Sequence, residues 1–186
     1  MKVRMLVAAV AAVVLSLPVM AEDLKSGPQT GDKVPGPFHP LNVTGEHKGE
    51  KYCLFCSNGE NPVAMVFARE SSDALAKLVK KIDEATLKNK DKEMGSFVVF
   101  LSDADGLDKK LAEMASKAKI EKTVLSIDNP AGPDKYKVAA DADITVVLYV
   151  DRKVKANYAF KKGELKDADI EKVLADVSKI TTPATK

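Results

Sequence analysis

The residues best suited to chemistry in this 186-residue chain are its two cysteines, Cys53 and Cys56, in the segment KYCLFCSNG. A C-x-x-C spacing suits three different jobs. The thiols can form and break one disulfide in exchange with a partner, through a mixed-disulfide intermediate. They can stay oxidised as a staple, although closing so short a loop stabilises a fold by only about 2 kcal/mol, against ~3 for a fifteen-residue loop. With His39 and His47 just upstream, they can also complete a four-ligand metal site. All three readings stay open on the residues alone. Cys53 and Cys56 are the catalytic candidates, with a protein thiol or disulfide as the expected partner; no cofactor and no dedicated metal ligand is assigned. The Asn58-Gly59 turn signal and Pro62 predict that the pair lies on a loop and not at a helix start. Lys48 and Lys51 are then the only nearby charges that would favour a thiolate.

Other residues offer less chemistry. Ser71 and Ser72 precede a helical stripe and read as a cap. Asp103, Asp105, Asp141 and Asp143 fall at strand ends and turns, where backbone geometry favours Asp. The lysines of residues 77–92 and 161–166 interleave with Glu and Asp, as on solvated faces. Without clustered basic and aromatic residues, nucleic-acid binding is not expected. Asn42-Val43-Thr44 matches a glycosylation sequon, which counts only in a eukaryotic secretory route.

The elements that must position the pair alternate strand and helix. VAMVFA (63–68), FVVFL (97–101) and TVLSI (123–127) read as strands, the first two as continuous apolar runs covered on both faces. FHPLNV (38–43) is a short edge strand, because Pro40 removes a ladder donor. Leu75, Leu78, Val79 and Ile82 form one helical stripe after Ser71-Ser72-Asp73. Leu107, Leu111, Met114, Ala115 and Ala118 form a second after Asp105. ITVVLYV (144–150) and VKANYAF (154–160) flank the turn Asp151-Arg152-Lys153 as a hairpin. Asp167 then caps a helix bearing Ile170, Val173, Leu174, Val177 and Ile180. This order is α/β, a central mixed sheet with helices on both faces.

The ends of the chain set its address. Lys2 and Arg4, the apolar run Met5 to Leu17 and Ala21 before Glu22-Asp23 read as a cleavable signal peptide over residues 1–21. Export to the periplasm or the extracellular space is therefore expected, with no membrane contact after cleavage. Lys2 and Arg4 carry the small excess of 29 basic over 27 acidic residues, so the mature chain is charge-balanced and has no electrostatic bias toward anionic partners. Residues 22–37, rich in Gly, Pro and charge, read as a flexible arm; 38–180 form one domain and 181–186 a disordered tail. A monomer is expected.

With these elements in place, GDKVPGPFHPLNVTG (31–45), NPVAMVFARE (61–70) and ITVVLYVDRKV (144–154) resemble the thioredoxin-like superfamily. Within it they are similar to the peroxiredoxin-like, extracytoplasmic thiol-disulfide oxidoreductase branch. The resemblance spans roughly residues 31–180 and implies a thioredoxin-like fold. It also implies a redox pair after the strand 63–68, where this chain has Ser71-Ser72-Asp73-Ala74 and no thiol. The family's cis-proline before the hairpin is missing too, with Ile144 near its position. Cys53 and Cys56 precede that strand and so lie toward its other end. By analogy with the family, the first cysteine, Cys53, would be the exposed attacking thiol. The family's empty site leaves a non-catalytic binding or scaffold module as the alternative.

Overall fold

The structure, a computed structural model, describes residues 24–182. The segment 1–21 read as a signal peptide lies outside the described residues, as do residues 183–186 of the expected tail.

Continuous apolar runs dictate the middle of the sheet. The strands β2 (Val63–Ala68), β3 (Gly95–Leu101) and β5 (Ile144–Val150) are buried along almost their whole length. With β1 (Leu41–Asn42), β4 (Val124–Asp128) and β6 (Lys153–Phe160) they form one six-stranded sheet in the order β1-β4-β3-β2-β5-β6. β2, β3 and β4 are parallel, whereas β5, β6 and β1 run antiparallel to their neighbours. Pro40 stands just before β1, which is the edge strand expected. Asp151 and Arg152, both left-handed at φ 53° and 57°, make the two-residue turn between β5 and β6.

The helices α2 (Asp73–Lys88), α3 (Leu107–Lys117), α4 (Asp167–Asp176) and α5 (Ser178–Thr181) all bury their apolar stripes in one cluster with Val66, Val98, Phe100 and Val146. Two successive crossovers in the same direction along the sheet, β2-α2-β3 and β3-α3-β4, place α2 and α3 on the same face, as a shared hand of connection requires. Ser72 caps α2 as expected, its Oγ accepting the Leu75 N–H at 3.2 Å. The α4 cap differs from expectation. Asp167 is its first helical residue, and the Asp169 carboxylate accepts the Lys166 N–H at 3.0 Å.

Among the described residues the second face has one α-helix, the five-residue α1 (Leu54–Asn58), so the expected cover on both faces is present but unequal. Loops complete it together with residues 24–37, the described part of the segment read as an arm, which packs against the sheet. Ser26 Oγ lies 2.6 Å from Thr145 Oγ1 and accepts the Ala139 N–H at 3.0 Å. The Asn157 amide donates to the carbonyls of Ser26 and Pro28, and Val34 is buried. A sheet face without a long helix leaves apolar area uncovered, and burying it outweighs the entropy of ordering the arm. Thr181 is likewise buried, at the end of α5 and not in a tail.

Candidate functional site

Cys53 and Cys56 form a disulfide, and they do so at the start of α1, which corrects the expected loop. Leu54 and Phe55, the two residues between them, are both buried in the second-face cluster. Two adjacent large apolar residues would be out of place on a solvated loop, and a helical turn carries both inward. The Asn58-Gly59 signal ends the helix and does not exclude it: Gly59 takes φ 56° and its N–H donates to Cys56 O. Cys53 is the capping residue, with its Sγ accepting the Cys56 N–H at 3.1 Å. The two sulfurs differ in access. Cys53 is 7% exposed and part of the core, whereas Cys56 is exposed. The order implied by the resemblance, with Cys53 outermost, is reversed.

Contacts at both ends hold α1 to the sheet. Arg152 of the hairpin turn lies over the Phe55 ring, 5.4 Å from its centroid. Asn58 donates to Leu54 O at 2.7 Å and folds over Gly95 at the start of β3. A Cβ at Gly95 would fall 1.7 Å from Asn58 Oδ1 and 2.7 Å from its Cγ, so α1 needs glycine there. Gly95→Ala is expected to lower stability by about 1–3 kcal/mol through overpacking. Urea unfolding of the oxidised protein measures it; an unchanged midpoint would show that Asn58 swings away freely.

A cavity of about 210 Å³ lies beside α1, lined by Leu54, Ser57 and Asn58 together with Asn42, His47 and Lys122. Asn42 is 2% exposed, and neither amide atom has a partner among the described residues. Its burial leaves no room for a glycan, which removes the sequon from consideration. His47 bonds Glu50 Oε2 at 3.1 Å and stacks on Tyr52 at 3.6 Å, while His39 is exposed. Among the described residues no three His, Cys, Asp or Glu side chains converge as metal ligands would. Both sulfurs are also bonded to each other, so the four-ligand set considered from the sequence does not assemble.

The position where the resemblance places a redox pair lies at the opposite end of β2, roughly 20 Å away along a six-residue strand. Ser72 is occupied as a cap there, and Ser71 Oγ points to Met114 Sδ at 3.5 Å. The Arg69 guanidinium donates to the carbonyls of Ala142, Pro130 and Ala139, which fixes the approach to β5. No peptide bond among the described residues is cis. Burial, then the neighbouring Glu70 carboxylate, raises the Asp143 pKa; Glu70 in turn pairs with Lys162 at 2.6 Å. This end of the sheet carries ion pairs and caps where the family would have thiols.

No family profile matches the chain, and no curated protein matches it in sequence. Solved structures do match in fold. Peroxidoxin BcpB from Mycobacterium tuberculosis superposes with a TM-score of 0.59 at 18% identity, covering 82% of this chain and 98% of that one. A thiol:disulfide interchange protein from a Bacteroides species gives 0.58 at 18% identity, covering 86% and 94%. A secreted Mycobacterium tuberculosis disulfide oxidoreductase homologous to E. coli DsbE gives 0.57 at 10% identity, covering 76% and 95%. The fold is thioredoxin-like. The thioredoxin-like sheet here carries a disulfide of C-x-x-C spacing on α1, ahead of its central strand β2. Among the described residues, no helix is long and apolar enough to cross a membrane.

Proposed function

We propose that the chain is an exported, monomeric thiol-disulfide exchange or redox-sensing protein that works through Cys53 and Cys56 with a protein thiol partner. The observation that carries this reading is a C-x-x-C disulfide in which Cys56 is exposed and the sulfur of the buried Cys53 accepts a backbone N–H. Exposure makes a disulfide more open to exchange, and so short a loop stabilises the fold little as a staple. Export supports the reading, because the pair would rest oxidised and await a reductant. Thiol trapping in graded glutathione or dithiothreitol buffers tests it. A pair that cycles with a potential near that of the surrounding compartment is expected, and one that stays oxidised throughout sinks the proposal. Mass spectrometry of the secreted protein should find its N-terminus at Glu22.

A second reading rests on Ser71, Ala74 and Ile144, which stand where the resembled family has its catalytic features. In it, the fold is a binding module and the disulfide is structural. It predicts no insulin reduction and no peroxidase activity; turnover in either assay excludes it.

A further inference from the structure

We propose that exchange at this pair enters through Cys56 and releases Cys53, the reverse of the order that the resemblance implies. This rests on the exchange reading above and assigns separate tasks to the two sulfurs. Attack on a disulfide requires an approach to one sulfur from outside, roughly in line with the bond that breaks. Only Cys56 offers that approach, since Cys53 is 7% exposed and shares the core cluster with Phe38, Leu54 and Phe55.

The leaving sulfur should be the one whose anion is better supported, because a lower thiol pKa makes a faster leaving group. Cys53 Sγ already accepts the Cys56 N–H at 3.1 Å, and a thiolate there strengthens that bond by making it charge-assisted. Burial among apolar side chains works against a thiolate on Cys53, so this hydrogen bond offsets a desolvation cost, and it is access that sets the direction. A partner thiolate attacks Cys56 Sγ and forms a new partner–Cys56 disulfide. The Cys53–Cys56 bond breaks, and its electron pair leaves on Cys53 as thiolate. When the partner is a dithiol, its second thiol loses a proton to solvent and attacks the partner sulfur of the mixed disulfide. Cys56 is expelled as thiolate. The partner is oxidised by two electrons to a disulfide, and the pair is reduced to two thiols. The substrate class is therefore a reduced thiol, with this chain as the electron acceptor.

The test treats the oxidised full-length mature protein with limiting reduced glutathione, quenches in acid, blocks free thiols with N-ethylmaleimide and locates both adducts by peptide fragmentation. Glutathione on Cys56 and maleimide on Cys53 is the expected result. Alongside it, the thiol of the Cys53→Ser variant should react with Ellman's reagent at least tenfold faster than that of Cys56→Ser. Glutathione mainly on Cys53, or equal rates in the two variants, overturns the proposed order while leaving exchange intact. If neither glutathione nor dithiothreitol opens the wild-type disulfide, the exchange reading itself fails and the order falls with it.

Discussion

Replacing Asp83 by alanine is expected to destabilise the fold by about 3–5 kcal/mol, because three backbone donors lose a charged acceptor and each such bond is worth about 1.5–3 kcal/mol. Asp83 is on α2 and has no solvent exposure. Its Oδ1 accepts the N–H groups of Lys122 and Thr123 at 2.7 and 2.8 Å, and Glu121 N–H reaches both oxygens at 3.2 and 3.1 Å. Lys80 Nζ stands 3.8 Å away and also donates to Lys119 O. One carboxylate thus fastens the entry to β4 onto α2, and alanine would strand three backbone donors. Burial alone would raise this carboxyl's pKa, but the Thr123, Lys122 and Glu121 N–H groups outweigh it and hold the value below 3.8. A depressed folded-state pKa means the stabilisation is complete above the unfolded value and is lost as pH falls through the folded one. Urea unfolding at neutral pH and at successively lower values below about pH 4 should show the wild type losing stability that Asp83→Asn never had. Parallel acid profiles for the two proteins would remove Asp83 from that role.

Sequence pattern reaches the sheet and the long helices because their signals are local. The apolar runs 63–68 and 97–101 have no polar side to offer water, and the stripe Leu75, Leu78, Val79, Ile82 has the helical period. The second face has no period to read. Its cover consists of Val34 and Phe38 from a Gly- and Pro-rich segment, Tyr136 from a turn, and a helix of five residues. Each contributes one or two apolar side chains, too few to distinguish a packed arm from a free one. The cysteine pair was legible as a redox candidate, and its placement away from the family's site followed from its position before β2. Which sulfur faces water was not legible. It depends on Leu54 and Phe55 turning inward, on Arg152 meeting Phe55 and on Gly95 admitting Asn58, all contacts distant in sequence. Leu54-Phe55 between the cysteines was the available signal. Asp83 was hidden in the same way, since nothing around it marks a carboxylate that reaches forty residues along the chain.

Tyr136→Ala should cost about 3–5 kcal/mol, as expected for truncating a buried aromatic residue. Tyr136 is 2% exposed, and its ring meets Phe38 edge-on at 4.9 Å and Phe67 at 5.6 Å. Its hydroxyl donates to Gly36 O at 2.6 Å, so the residue joins the turn Asp134–Tyr136, the arm and the second sheet face. Tyr136→Phe keeps the ring contacts and loses that bond, for about 1 kcal/mol. The difference between the two variants in urea unfolding separates packing from hydrogen bonding. The same cluster contains Cys53, Leu54 and Phe55, so loosening it has a consequence at the disulfide. If the arm, the turn and α1 open as one unit, Tyr136→Ala raises amide exchange in α1 and speeds reduction of the pair by dithiothreitol, while Tyr136→Phe changes both far less. Faster exchange confined to the arm, with the reduction rate unmoved, would show instead that α1 is held by Arg152 and Asn58 alone.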